Sequence, residues 1–333
     1  MIIENGIKTI ENEKYRIKFN MNSGMELMYG INGNEDPWVL DAPSMMDIGI
    51  MGTCPNRCAF CYQGDEQQPN MKLNDYKKLI WNAKDYVNQV ALGGRGNPDE
   101  HPDFYEILAF TKQCGIIPNY TTAGNTFTPE KAQISKMCGS TAVSMYFQDH
   151  TFSALKMLMD AGCKTNIHWV LSTETLPIIL WLLKNKKDVF QDLLDMKRLN
   201  AIVFLMFKPC GRGADHPEWI VPDDGIKEFA EAVRAHKGPY KIGLDSCLVG
   251  KMADVVGLTK AESTICDSCE GSRMSCYITP DMKLLPCSFG KTIVEGIDIN
   301  TNTLKEAWNT PLFNTFRDKL KSKPYSCPWL DWK

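Results

Sequence analysis

The feature that most constrains the fold is a recurring rhythm between Met46 and Asp245. Strand-like apolar runs appear at Met46–Met51, Gln89–Leu92, Ile116–Thr122, Thr141–Phe147, Thr165–Leu171, Ala201–Phe207 and Tyr240–Asp245. Amphipathic segments with helix punctuation lie between most of them. Pro102 suits a first helical turn, Phe104, Ile107 and Leu108 share one face, and Gly115 is the stop. Thr128-Pro129 opens the next helix and Gly139 closes it, while His150 to Gly162 and Asp223 to Gly238 repeat the design. Alternation of this kind calls for parallel strands joined by right-handed crossovers. Six or seven strands are too few for a closed eight-fold barrel, so the expectation is an α/β partial (β/α)6 barrel. An open doubly wound sheet is the competing architecture, which periodicity does not separate from it.

Around that core the expected organisation is a β-rich lead-in over residues 1–45, the barrel over 46–250, and a cysteine-rich module over 251–333. Lys and Arg number 37 against 40 Asp and Glu, a formal net charge of −3. That balance carries no electrostatic footprint for nucleic acid, and no basic, aromatic-interleaved stripe adds one. No run approaches the ~18 apolar residues of a membrane span. The charged first residues contain no signal-peptide core, and the expectation is a cytoplasmic protein. In a reducing compartment the 13 cysteines read as metal ligands or redox groups in preference to disulfides.

Cys54, Cys58 and Cys61 follow the first strand at C-x3-C-x2-C spacing. In βα barrels chemistry belongs to the loops at the carboxyl ends of strands. Three close thiolates can hold three irons of a four-iron, four-sulfur cluster and leave the fourth open. A structural zinc is the alternative, but its fourth ligand is missing nearby, the nearest histidine being His101. Later come Cys266, Cys269, Cys276 and Cys287, with Cys327 near the end, where the βα rhythm has stopped.

The motif Cys54-x3-Cys58-x-Phe60-Cys61 resembles the signature of the radical S-adenosylmethionine enzymes. Gly93-Gly94, Pro98 and His101-Pro102-Asp103-Phe104 resemble the family's GGE-P…HPDF segment, with Arg95 where Glu is usual and Gly96-Asn97 resembling an insertion. Thr121-Thr122-Ala123-Gly124-Asn125 resembles the end of its third strand, and Ser144 the serine of its fourth. The resemblance implies that the open iron binds the amino and carboxylate groups of S-adenosylmethionine. Reductive cleavage then yields a 5′-deoxyadenosyl radical that takes hydrogen from an unactivated carbon. It further implies Gly93, Gly94, Thr122 and Ser144 as cofactor contacts, and a reductant such as flavodoxin or ferredoxin.

Cys269 to Cys287 resembles the half-motif C-x(9–15)-G-x4-C of SPASM or twitch domains, with Met282 in place of the glycine. Leu304 to Arg317 resembles the helix that follows, expected as one element around Leu304–Leu320. One auxiliary iron–sulfur cluster is implied, ligated by Cys266, Cys269, Cys287 and Cys327, with Cys276 as the substitute. A zinc site built from the same thiols is the alternative.

At the barrel mouth, Lys208 and Arg212 are candidates for carboxylate or phosphate binding on cofactor or substrate, or are solvated loop charges. Cys247 is a candidate hydrogen donor to a substrate radical and Asp245 a candidate base or substrate anchor; packing is the alternative for Cys247. The substrate expectation is a peptide or protein side chain, because many enzymes bearing this C-terminal module act on peptides. The lead-in is short for the leader-binding domain that some of them carry. A nucleoside, modified DNA base, sugar or small metabolite is the second reading, and a non-catalytic zinc-bound interaction module is the third.

Overall fold

The computed structural model describes residues 1–185, 194–266 and 268–332. An antiparallel meander comes first: β1 (Ile2–Glu4), β2 (Ile7–Glu11), β3 (Tyr15–Asn20) and β4 (Glu26–Gly30). Tyr15, Ile17 and Phe19 alternate inward along β3, as a half-buried strand requires. Lys8 on β2 is fully buried, and its ammonium donates to Lys84 O (2.8 Å), Val87 O (2.5 Å) and Gly115 O (3.1 Å). These carbonyls follow two helices of the barrel, so one cation both caps them and anchors the meander.

The seven expected strands are all present: β5 (Met45–Met51), β6 (Gln89–Gly94), β7 (Ile117–Thr122), β8 (Thr141–Ser144), β9 (Thr165–Leu171), β10 (Ala201–Met206) and β11 (Lys241–Leu244). The crossovers carry α1 (Leu73–Ala83), α2 (Phe104–Gln113), α3 (Pro129–Ile134), α4 (Asp149–Asp160), α5 (Leu176–Asn185) and α6 (Asp223–Ala235). Each strand pairs in parallel with the next in sequence. A doubly wound sheet would reverse its order at a switch point. This one does not, and the partial barrel is the architecture. Thr128 caps α3 by accepting from Lys131 N at 3.3 Å, and Gly115 and Gly162 take positive φ just past α2 and α4.

After β11, α7 (Ser246–Val256) packs back on the barrel. The C-terminal region then supplies β12 (Ser275–Ile278), β13 (Lys283–Leu285) and β14 (Ile297–Asp298). β12 lies parallel to β5, with Ser275 opposite Met45, and β13 and β14 follow antiparallel. The sheet therefore runs β11-β10-β9-β8-β7-β6-β5-β12-β13-β14. β11 is one of its edges, and the cysteine-rich region lies beyond β5 on the other side. Met282, at the glycine position of the motif, holds φ +63° and is buried, so the tight turn keeps its left-handed backbone while adding an apolar side chain. The helix expected around Leu304–Leu320 is divided into α8 (Leu304–Trp308) and α9 (Pro311–Ser322). Pro311 has no N–H to continue α8 and sits at the first position of α9.

Candidate functional site

Parallel strands place all their carboxyl ends at one end of the barrel, where the Cys54–Cys61 loop, Gly93, Gly94, Thr122, Ser144, Lys208, Arg212, Asp245 and Cys247 fall, while the later cysteines belong to the C-terminal region. β5 feeds the loop bearing Cys54, Cys58 and Cys61, three free half-buried thiols. Cys61 N donates to Cys58 O at 3.1 Å, turning the chain tightly between the last two. Burial and the nearby sulfurs of Cys58 and Cys61 push the Cys54 thiol up. The loop presses on the end of β6: a Cβ on Gly94, which has φ +109°, would fall 2.3 Å from Met51 O, and one on Gly96 would fall 2.2 Å from Thr53 O. Only glycine permits that approach.

Two arginines hold this loop from outside its own sequence. Arg212, beyond β10, donates from Nε to Cys58 O (2.9 Å) and from Nη1 to Gly64 O (3.0 Å) and Asp65 Oδ1 (2.8 Å). Its backbone N–H donates to Cys61 O at 2.9 Å. Arg95, buried beyond β6, donates to Gln63 O at 2.8 Å and to Gly64 O, while its Nε is buried without a partner. The Arg212 fork, a sequence candidate for a ligand carboxylate, is thus engaged by the cysteine loop.

Tyr146, two residues beyond β8 and not singled out by the sequence, places its hydroxyl 3.4 Å from Cys58 Sγ and stacks on Phe60 at 5.9 Å. Burial and the neighbouring thiols push its phenol up, so it stays a donor. The next residue, Phe147, holds φ +54°, a conformation costly for a bulky side chain and characteristic of functional sites. Ser144 ends β8 opposite His168. Thr122 is buried, and its hydroxyl accepts from Gly124 N at 3.0 Å. Gly93 meets nothing within 4 Å where a Cβ would stand. His168 shares a hydrogen bond with Thr121 Oγ1 at 3.2 Å, and burial lowers it to about 4, leaving it neutral at neutral pH.

Asp245 caps α7 by accepting from Leu248 N at 2.8 Å and pairs with Lys208 Nζ at 3.0 Å. Lys208 also lies 4.2 Å over the Phe289 ring, whose other neighbour is Tyr62 at 4.7 Å. Phe289 follows Cys287 by two positions, so this aromatic pair joins the first cysteine loop to the second group. In that second group Cys287 Sγ accepts from Trp329 Nε1 at 2.9 Å. Cys269, Cys287 and Cys327 pack around Phe316, Leu320 and Trp329. Burial pushes the Cys287 thiol up to about 11 and the Cys247 thiol to about 12. Sulfurs kept protonated by burial become thiolates once a metal ion pairs with them. Cys276 is buried on β12 beside Asp47, away from this group. Among the described residues, no three Cys, His, Asp or Glu side chains converge on one point as around a single ion.

A further polar group lies near the junction of β5 with β12. Asp47 is pushed up to about 7 by burial and by Glu270. Tyr277 is opposite it in register, and the Tyr277 hydroxyl would meet a Cβ on Gly49 at 2.6 Å.

Comparison with known proteins agrees with this geometry. The family profile described as the radical SAM superfamily matches residues 48–162, and that of the SPASM iron-sulfur cluster-binding domain matches residues 269–328. The chain thus carries a radical SAM domain over the first of these segments and a SPASM auxiliary domain over the second. Such domains bind iron–sulfur clusters and S-adenosylmethionine. The fold is shared with Streptococcus suis SuiB, at a TM-score of 0.72 and 12% identity over 96% of this chain and 90% of that one. SuiB bound to its precursor peptide SuiA matches at a TM-score of 0.71 and 14% identity, covering 99% and 94% of the two chains. The protein anSMEcpe with bound AdoMet and the Cp18Cys peptide matches at 0.59 and 13%, covering 82% of each. No curated protein matches by sequence. No described helix is long and apolar enough to cross a membrane.

Proposed function

We propose that the chain is a radical S-adenosylmethionine enzyme whose substrate is a peptide or protein side chain, with Cys54, Cys58 and Cys61 holding a four-iron cluster that has one open iron. The single observation that carries the reading is the loop after β5, where three free thiols are pinned by Arg95 and Arg212 at the carboxyl end of the barrel. The donor set fits: three soft sulfur ligands suit an iron–sulfur cluster, and their loop contains no fourth cysteine and no histidine. When bound, the cluster and S-adenosylmethionine supply reductive S–C bond cleavage and an oxidant able to take hydrogen from an unactivated carbon.

The chain's own residues bind, orient and exclude water. Gly93 offers unobstructed backbone at the end of β6, a cradle that a side chain would fill, for the methionine portion of the cofactor. Thr122 and Ser144, at the ends of β7 and β8, would receive its remaining polar groups, as the family resemblance implies. The Tyr146 hydroxyl, 3.4 Å from Cys58 Sγ, would donate to a thiolate there, and its ring stacks with Phe60 beside the sulfur. Lys208 and Asp245 neutralise each other at the mouth, a pair suited to orienting substrate polar groups. Cys269, Cys287 and Cys327, packed on one aromatic cluster, would hold one auxiliary cluster whose chemistry would be electron transfer, with a reductant such as flavodoxin or ferredoxin as partner.

The peptide assignment is supported by SuiB and anSMEcpe, solved with peptides in the same fold. The test is anaerobic incubation of reconstituted protein with S-adenosylmethionine, dithionite and short peptides encoded beside its gene. The expected result is 5′-deoxyadenosine together with a mass change in a peptide, both lost in the C54A/C58A/C61A variant. Retained cleavage in that variant removes the assigned loop, and turnover of a nucleoside with every peptide inert removes the substrate class.

A further inference from the structure

We infer that the auxiliary centre is completed from the barrel, with Cys247 as its fourth thiolate beside Cys269, Cys287 and Cys327, and with Cys266 outside it. The inference rests on the proposed auxiliary cluster and deepens it, because the resemblance implies Cys266 as the fourth ligand.

Two contacts bring Cys247 to the group. Lys208 Nζ bonds Asp245, two residues before Cys247, and lies on the ring of Phe289, two residues after Cys287. The end of β11 and the Cys287 turn therefore share one cation. On α7, Gly250 is one turn from Cys247 and faces Tyr325, two residues before Cys327; a Cβ there would be 3.4 Å from Tyr325 O. Across the group, a Cβ on Gly271 would be 3.4 Å from Cys269 Sγ and 3.1 Å from Pro286 O, which adjoins Cys287. The electrostatic neighbours agree: those of Cys247 are Lys208, Asp245, Cys287 and Cys327, and those of Cys269 include Cys247, Cys287 and Cys327. Cys266 instead follows a short helical turn, its N–H donates to Glu262 O at 2.7 Å, and Glu262 is the charge that acts on it.

The chemistry of the position is that of a thiolate ligand. Cys247 lies in the first turn of the 11-residue α7 with the Lys208 ammonium beside it, a cation that pairs with a thiolate. The topology gives the ligand set a mechanical consequence. β11 is one edge of the ten-stranded sheet, whereas Cys269 and Cys287 flank β12 and β13 on the far side of β5. A cluster held by Cys247 and these residues fastens the two sides of the open barrel together, and sets the auxiliary centre against the mouth through Lys208.

The test uses the full chain carrying C54A/C58A/C61A, so that any iron–sulfur signal comes from the second centre. Iron and sulfide content and the electron paramagnetic resonance spectrum of the reduced protein are measured after anaerobic reconstitution. The inference expects about four irons per chain in this background and in its C266A derivative. C247A should lose the four-iron signal or leave a three-iron form, and C247S, nearly isosteric, should shift the spectrum if any cluster remains. Circular dichroism melts of the iron-free proteins show whether C247A folds as C266A does. An intact centre in C247A and C247S, or its loss in C266A, overturns the inference. Absence of iron–sulfur from the parent background overturns the auxiliary cluster itself.

Discussion

Replacing Arg212 with Ala should loosen the first cysteine loop more than any other single change outside that loop. The guanidinium gives two bonds to backbone carbonyls, Cys58 O at 2.9 Å and Gly64 O at 3.0 Å, from a largely buried position. Charge-assisted bonds of this kind are worth about 1.5–3 kcal/mol each. The contact with Asp65, whose side chain is 63% exposed, adds only about 0–1 kcal/mol. Arg95 still holds Gln63 O and Gly64 O, so part of the restraint survives. The net loss is then about 2–4 kcal/mol, and even the lower figure amounts to ~30-fold in a rate governed by loop opening. The assay is anaerobic capture of iron by a coloured chelator, run in a variant without the auxiliary thiols. Iron release should accelerate at least ~30-fold in R212A and by less in R212K, which keeps the charge but loses the fork. Release at the parental rate in R212A would refute the clamp.

Y146F removes the donor at Cys58 Sγ while keeping the ring on Phe60, so the first cluster should keep its iron but reduce at a lower potential; an unchanged potential in a redox titration counts against the contact. D47N tests the half-buried carboxyl at the β5–β12 junction. Its folded value of about 7 lies above the unfolded one, so its protonated form favours folding and stability is lost as pH climbs from about 4 through 7. Urea titrations should show D47N gaining up to about 4 kcal/mol on the parent at pH 8 and nothing at pH 4, and equal gains at both would contradict this. K8M leaves three carbonyls without their donor and should cost about 2–4 kcal/mol at pH 7 by urea titration, with a neutral result refuting the anchoring role.

The βα core was legible because buried parallel strands read as short apolar runs and because Thr128-Pro129, Gly115 and Gly162 punctuate the helices between them. Sequential strand order, which separates a partial barrel from a doubly wound sheet, is a property of space and leaves no periodic trace. The same holds for β12, which finds its partner β5 far back along the chain. Lys8 carries no local mark of its burial, since nothing near it in sequence reveals the helix-end carbonyls that it meets. Tyr146 carries no motif, and its one signal is an aromatic residue just past a strand end in a barrel whose chemistry gathers at such ends. Arg212 was singled out as a cation at the mouth, but sequence does not say whether a guanidinium faces a ligand or a backbone. Among the later cysteines, the resemblance implies Cys266 with Cys269, whereas the sulfurs that act electrostatically on Cys269 are those of Cys247, Cys287 and Cys327, a grouping that residue spacing does not reveal. The break between α8 and α9 was readable in Pro311, and the apolar pattern across it concealed it.

The most direct test of the central claim is spectroscopic. Protein lacking the auxiliary thiols through C269A/C287A/C327A is reconstituted without oxygen, reduced, and its paramagnetic resonance recorded before and after S-adenosylmethionine is added. If Cys54, Cys58 and Cys61 hold a cluster with a vacant iron, the signal is present and changes on addition. A signal that ignores S-adenosylmethionine, or protein that binds zinc there and gives no signal, contradicts the account.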